Sequence, residues 1–218
     1  SVMSDALAED IARRGTICAM LSNTLTGEPW ERHLKQQADR AESEAEEEEE
    51  DAGQERARTS AELRAEARGS GEGMDIRRQN AEKLIATGCV TTIGTDNYLG
   101  TAPEFRRDPT KALSQSFGTG SVLATEGLVE LGMTPMEAIV AVTKNGAMAC
   151  LMLDELGTLE EGKFADVVIL GADPLEDIRN IRVIETVIRD GTVVDLGALP
   201  NQRIFSNPAD TLPDPGSM

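Results

Sequence analysis

The segment Val90-Thr91-Thr92-Ile93-Gly94-Thr95-Asp96 decides the predicted fold. Its first four residues are all β-branched, which is typical of a short strand. A glycine and a polar residue then end the strand, so the Asp96 carboxylate lies at the strand's carboxyl end. A carboxylate in that place can bind a metal ion or accept a proton, which makes Asp96 the first candidate site residue.

The same order of elements occurs twice in the chain. Residues 76–87 have apolar side chains at helical spacing, a glycine ends that helix, and the strand 89–94 follows. Residues 4–14 likewise predict a helix with Ser4 as its N-cap, followed by a strand over 16–21. Repeated helix–strand units favour parallel strands, and in an α/β barrel the loops after such strands carry the chemistry.

The middle of the sequence predicts helices after a long loop. The loop covers residues 97–120, and a helix is predicted over 121–132. Thr134-Pro135-Met136-Glu137 is a capping box with proline at the first helical position, which predicts a helix that begins there and extends to about Asn145. Another short helix is predicted over 147–153.

The last third of the sequence predicts strands. Val167-Val168-Ile169-Leu170 is an apolar run of strand length. Further on, Asp190-Gly191 separates two β-branched segments, 183–189 and 192–195, and this dipeptide is a strong signal for a tight hairpin. Residues 200–218 contain four prolines and predict a tail.

An acidic segment over residues 38–73 differs in composition from its surroundings. A loop over 22–29 and the start of a helix over 30–37 are predicted before it. Leu63 is its one large apolar residue, so the segment cannot bury enough surface to offset its ordering entropy. It is either a disordered insertion or a solvated helix stabilised by Glu/Arg pairs, and we favour an insertion on a surface loop.

The charge and composition exclude some classes of partner. The net charge of −18 argues against binding to nucleic acid or to anionic membranes, and no apolar run approaches the roughly 18 residues of a membrane span. Aromatic residues make up only 3% of the chain, so the core is expected to be aliphatic. Arginine outnumbers lysine, 16 to 5, which suits either a high-salt cytoplasm or a merely acidic protein from a GC-rich genome.

The cysteines and the histidine suggest no site of their own. Cys18, Cys89 and Cys150 are odd in number and lie in apolar stretches, so free buried thiols in a reducing compartment, the cytoplasm, are expected. Their spacing fits no zinc motif. His33, the single histidine, lies in the helix after the strand 16–21 and is expected to face solvent rather than a metal ion.

Several motifs together resemble the metal-dependent amidohydrolase superfamily. Thr92-Ile93-Gly94-Thr95-Asp96 is similar to the last barrel strand of that superfamily. The imidazolonepropionase/prolidase-like branch is the most similar. The other matching segments are, in order, Gly132–Ile139, Thr143–Ala147, Gly157–Leu170, Asp173–Arg179 and Val187–Val194.

The resemblance implies a fold of the α/β class with definite boundaries. Residues 1–155 would form the C-terminal part of a (β/α)8 TIM-like barrel that carries the acidic insertion at about 38–73. Residues 156–199 would form a segment of a small β-sandwich, followed by the tail over 200–218. The chain would then be a proteolytic product, a split-gene subunit or a partial sequence.

The resemblance also implies a site. Asp96 matches the eighth-strand metal ligand and catalytic base, and Asn97 and Tyr98 would contact substrate because they follow it in the loop. The family's His-x-His pair, its lysine and its two further histidines have no counterpart in this sequence. Most ligands of the divalent metal ion, expected to be zinc, would therefore lie outside this chain.

The implied function is that of the C-terminal portion of a hydrolase that cleaves C–N bonds of a small amide, lactam or peptide-like molecule. Activity would need the N-terminal half of the same enzyme or a second His-rich subunit. An oligomer is expected because half a barrel exposes strand edges and apolar surface. The alternative is a non-catalytic subunit or scaffold derived from an amidohydrolase, without metal.

Overall fold

The structure of the protein is a computed structural model, and it describes residues 1–50, 72–96 and 118–199. The helices are α1 (Asp5–Arg13), α2 (Ser22–Leu25), α3 (Gly27–Glu50), α4 (Glu72–Ala86), α5 (Thr119–Glu130), α6 (Pro135–Val142) and α7 (Lys144–Ala149). The strands are β1 (Ile17–Met20), β2 (Val90–Ile93), β3 (Val167–Leu170), β4 (Ile184–Arg189) and β5 (Thr192–Val193). Short 3-10 helices cover Ile178–Arg182 and Leu196–Ala198.

The two predicted helix–strand units are confirmed, and their strands are parallel neighbours. β1 pairs with β2 in a register that places Met20 opposite Ile93. The helix before each strand ends at a glycine in the left-handed region, Gly15 with φ 64° and Gly88 with φ 78°. Ser4 caps α1, as predicted, by accepting a hydrogen bond from a backbone N–H of the first turn.

Helices α1 and α4, which precede the paired strands, are also joined to each other. The Lys83 ammonium donates to Asp5 over 2.6 Å, and this hydrogen bond lowers the pKa of the Asp5 carboxyl. Asn80 accepts a hydrogen bond from the backbone N–H of Met3 at 2.6 Å. The two units therefore pack together through both their strands and their helices.

An aliphatic core lies between the parallel strands and the helices α2, α4, α5 and α6, in agreement with the low aromatic content. Leu128 is completely buried at its centre. The other members of this cluster are Met20, Leu25, Ala81, Leu131, Ala138, Ala141 and Ile178.

Helix α2 occupies a region predicted as a loop, so the expectation for residues 22–29 was wrong. The Ser22 hydroxyl donates to the Ala124 carbonyl of α5 at 2.7 Å, and the Thr26 hydroxyl donates to the Ser22 carbonyl at the same distance. Helix α5 approaches closely because Gly127 faces this turn without a side chain. The partner that orders the turn is about a hundred residues away in sequence, which local turn chemistry does not reveal.

The first part of the acidic segment is helical, so the favoured surface loop was wrong for residues 38–50. Helix α3 runs without interruption from Gly27 to Glu50. Its first turns are anchored to α4, and once a helix is nucleated, residues such as Glu, Ala and Arg extend it at little cost. Residues 51–71 lie outside the described residues.

Helix α6 begins as predicted but ends earlier. The backbone N–H of Thr134 donates to Glu137 at 2.8 Å, and this capping box lowers the pKa of the Glu137 carboxyl. Thr143, with φ −107° and ψ −83°, breaks the helix, and α7 starts at the next residue. The predicted single helix to Asn145 and the separate helix over 147–153 are therefore replaced by α6 and α7.

The predicted C-terminal strands and their hairpin are confirmed. β3, β4 and β5 form an antiparallel sheet in this order, with Val167 opposite Ile188 and Ile188 opposite Val193. Asp190 and Gly191 both have positive φ angles, 49° and 73°, as a type I′ turn requires. The described residues are thus of the α/β class, while the closed barrel and the β-sandwich remain predictions and the 200–218 tail lies outside them.

Two of the cysteines form a disulfide, so the expectation of three free thiols was wrong. Cys18 and Cys89 are bonded, with 6.6 Å between their Cα atoms, and Cys150 is free and exposed. The parallel register brings residues 71 apart in sequence together, and the sequence alone gives no sign of that proximity. None of the helices described here is long and apolar enough to cross a membrane.

The close packing of α2 on α5 can be tested with Gly127→Ala. A Cβ atom at Gly127 would lie 3.0 Å from both Cβ and the carbonyl oxygen of Ser22, and closer still to the Thr26 hydroxyl. We expect a loss of about 1–3 kcal/mol in the free energy of unfolding, measured by denaturant titration. Gly73→Ala is the control, because nothing lies within 4 Å of its Cβ position and stability should stay equal or rise.

The disulfide can be tested by thiol counting and by reduction. We expect one reactive thiol, that of Cys150, in the denatured unreduced protein and three after reduction. Because the bridge spans 71 residues, its loss should lower the free energy of unfolding by about 4 kcal/mol in the loop-entropy model. Cys150→Ser should leave the effect of reductant unchanged, and three reactive thiols before reduction would contradict the bridge.

Candidate active site at the carboxyl ends of the parallel strands

The candidate site lies where β1 and β2 end side by side. Met20 and Ile93 are opposite each other in the last paired position, and the Gly94 N–H donates to the Met20 carbonyl at 2.9 Å. The chain then passes through Thr95 to Asp96. Asp96 therefore lies three residues beyond a strand of a parallel pair, at the carboxyl end where it was predicted.

Asp96 presents an accessible carboxylate at this edge. The residue is exposed and has a φ of 47°, in the left-handed region that aspartate tolerates better than most residues. A carboxylate in this position can accept a proton or bind a cation. Asn97 and Tyr98, the predicted substrate contacts, lie outside the described residues.

Asn23 supports the backbone next to Asp96. Its side chain is only 2% exposed, and its amide Nδ2 donates to the Thr95 carbonyl at 3.0 Å. Sequence reasoning missed Asn23 and placed it in a loop. The parallel register shows why the two residues meet: Asn23 and Asp96 each lie three residues beyond the opposed pair Met20 and Ile93. Two polar residues at equal distances from the ends of neighbouring parallel strands are the pattern that could have indicated this contact.

Asn145 supports β2 from α7. Its amide donates to the Thr91 carbonyl at 2.8 Å, inside the strand. Thr91 and Thr92 are both buried, and α7 packs close to Thr92, since a Cβ atom at Gly146 would lie in ordinary van der Waals contact with the Thr92 hydroxyl at 3.6 Å. Helix α7 therefore holds the strand that leads to Asp96.

His33 is buried, so its expected solvent-facing position was wrong. Its side chain is 5% exposed, its Nε2 lies 3.0 Å from Asp75 Oδ1, and its ring packs on Trp30 with 5.0 Å between centroids. Asp75 also accepts a hydrogen bond from Gln37 at 2.6 Å. These contacts join α3 to α4 and give His33 a structural partner on a helix, away from the strand ends.

Arg78, on the same helix as Asp75, connects α4 to the neighbouring helices. Its guanidinium donates to the Leu25 carbonyl and to Glu130, each at 2.8 Å, and to Glu82 at 3.0 Å. The same group lies 4.6 Å from the centre of the Trp30 ring. Since these partners belong to α2, α3, α4 and α5, one largely buried cation links four helices.

The described residues supply one candidate metal ligand. No group of three or more His, Cys, Asp or Glu that could hold a metal ion occurs among residues 1–50, 72–96 and 118–199. The exposed Asp96 carboxylate is of the ligand type that zinc accepts, so it fits as one ligand of a larger set. A cavity of about 380 Å³ lies between α2, α5 and the start of α3, and Asn23, but not Asp96, belongs to its lining.

Comparisons with known proteins give a consistent family. The sequence model of the amidohydrolase family matches residues 46–194, more than half of the chain. The imidazolonepropionase of Brevibacillus brevis is 33% identical over 118 residues, which are 53% of this chain and 25% of that protein. The chain thus spans only about a quarter of the length of this curated relative.

Solved structures agree with the sequence comparison. The structure of molinate hydrolase is 31% identical, with a TM-score of 0.54, over 64% of this chain and 31% of that one. A putative prolidase from Bifidobacterium longum has the same TM-score over 89% of this chain and 40% of its own. Its identity is 24%, so that similarity concerns the fold alone.

The structural role of the His33 contact can be tested with Asp75→Ala. The substitution leaves the buried imidazole and Gln37 without their acceptor, so we expect a loss of about 1–3 kcal/mol in the free energy of unfolding. Glu31→Ala removes an equal charge from an exposed position of α3 and should change stability by less than about 0.5 kcal/mol. Equal effects of the two substitutions would contradict the assigned role.

Proposed function

Because the chain belongs to the amidohydrolase family, as its motifs predicted, we propose that it is the C-terminal part of a metal-dependent hydrolase that acts on C–N bonds. The observation that carries this proposal is the exposed Asp96 carboxylate, which follows the second of two parallel strands within the matched region. The names of the two relatives refer to different substrates. We therefore propose only a class, a small amide, lactam or peptide-like molecule.

The proposal includes the complete fold of the enzyme. β1 and β2 would be the last two strands of a (β/α)8 barrel, and β3 to β5 would belong to a small β-sandwich. The helix–strand order, the parallel register and the similarity to solved family members support this assignment. In such a barrel the residues at the carboxyl ends of the strands carry the chemistry, which is where Asp96 lies.

Asp96 would be both a catalytic residue and a metal ligand. When bound, a divalent metal ion, expected to be zinc, would lower the pKa of a bound water so that its proton can be removed near neutral pH. Asp96 accepts the proton of the attacking water and passes it to the leaving nitrogen. Asn97 and Tyr98 would contact the substrate, a role that rests on their place in the sequence.

The remaining ligands would come from the N-terminal half of the same enzyme or from a second His-rich subunit. Two observations support this proposal: the described residues contain no metal-binding cluster, and the alignment covers about a quarter of a curated relative. An oligomer and a cytoplasmic location remain predictions, and the bond between Cys18 and Cys89 removes the argument from free thiols for the second. Neither nucleic acid nor a membrane is proposed as a partner, because the net charge is −18.

The decisive variant is Asp96→Asn, with Asp190→Asn as a matched control. Both residues are exposed and have nearly equal positive φ angles, 47° and 49°, which asparagine also tolerates, but Asp190 lies in the β4–β5 hairpin. The chain is purified with the polypeptide that co-purifies with it, and metal content is measured together with hydrolysis of an N-acyl amino acid, a lactam and an Xaa-Pro dipeptide. We expect Asp96→Asn to lose at least about 100-fold in kcat and Asp190→Asn to keep it.

Two results would contradict the proposal. Unchanged turnover of the Asp96→Asn enzyme would show that Asp96 is not the catalytic base. A metal-free, monodisperse single chain without hydrolysis would instead support the alternative, a non-catalytic subunit or scaffold.

A further inference from the structure

We propose that Asn23 is a positioning residue for Asp96. The catalytic part of this inference rests on the proposed function of Asp96, whereas the hydrogen bond from Asn23 is observed in the structure. Asn23 is 2% exposed, so little of its side chain is open to a substrate. Its amide instead donates to the carbonyl of Thr95, the residue that precedes Asp96.

The hydrogen bond orients the peptide that leads into Asp96. The carbonyl of Thr95 and the N–H of Asp96 belong to one rigid peptide plane. When Asn23 holds that carbonyl at 3.0 Å, the plane is held as well, and φ of Asp96 becomes the remaining backbone angle that aims the carboxylate. That angle is 47°, a conformation that L residues seldom adopt without support from their surroundings.

Asn23 can act as a support because its own turn is held firmly. Ser22 donates to the Ala124 carbonyl, and Thr26 donates back to the Ser22 carbonyl, both at 2.7 Å. Gly127 allows α5 to pack directly on this turn. The position of the carboxylate is therefore determined by α5 through α2 as well as by its own strand.

Asn145 provides the natural comparison. It makes the same type of hydrogen bond, from a side-chain amide to a backbone carbonyl of the segment that leads to Asp96, at 2.8 Å. Its acceptor is Thr91, inside β2, and not the peptide next to Asp96. Loss of either bond should destabilise the protein, but only loss of the Asn23 bond should change the conformation of Asp96.

The first experiment measures the conformation of Asp96 by NMR in the isotopically labelled full chain. In Asn23→Ala, the Cα and Cβ chemical shifts and the HN–Hα coupling of Asp96 should leave their left-handed values, whereas Asn145→Ala should preserve them. An unchanged Asp96 signature in Asn23→Ala, or the same change in both variants, would overturn the inference. If Asn23→Ala does not fold, Asn23→Ser is used in its place. The serine side chain is polar like that of asparagine but too short to reach the Thr95 carbonyl.

The second experiment measures turnover of the assembled enzyme. Asn23→Ala should lower kcat about 10- to 100-fold with little change in KM, because the misplaced carboxylate affects the reaction more than binding. Asp75→Ala, which breaks a contact between α3 and α4 away from the strand ends, should keep both constants near those of the wild type. If the wild type shows no hydrolysis while the Asp96 NMR signature responds as expected, the proposed function fails and the positioning role stands; an unresponsive signature refutes the positioning role alone.

Discussion

The parallel pairing of β1 with β2 is the constraint on which the described structure depends. It aligns Met20 with Ile93, so the two chain segments that leave the strands begin side by side. One of them carries Asn23 and the other Asp96, and the amide of the first reaches the peptide before the second. The same alignment allows the disulfide at the opposite ends of the strands.

The strands β1 and β2 pair although a long acidic segment of the sequence connects them. The helices on both sides of that segment are fixed by contacts with the rest of the structure. Helices α3 and α4, which border residues 51–71, are joined through His33 and Asp75, and Arg78 ties them to α2 and α5. The entropy of closing a loop grows only slowly with its length. A long connection between two strands therefore costs little when its two boundaries are fixed.

Much of the local structure and the position of Asp96 could be predicted from the sequence. The cap at Ser4, the capping box at Thr134 and the Asp190-Gly191 hairpin each depend on residues within a few positions, so their patterns predicted the elements correctly. The loop over 22–29 and the exposed His33 were wrong. Ser22 and His33 are held by α5 and α4, which periodicity and turn propensity do not include.

By itself, the sequence determined the helix–strand units that end in β1 and β2, the glycines at their boundaries, the C-terminal hairpin and the carboxylate that follows β2, because these follow from backbone preferences of neighbouring residues. Only the tertiary structure decided which side chains act together. The bond from Asn23 to Thr95 and the bridge from Cys18 to Cys89 join residues 72 and 71 positions apart. Such contacts depend on the register of two strands, and a shift of one residue would turn every side chain to the other face and remove them.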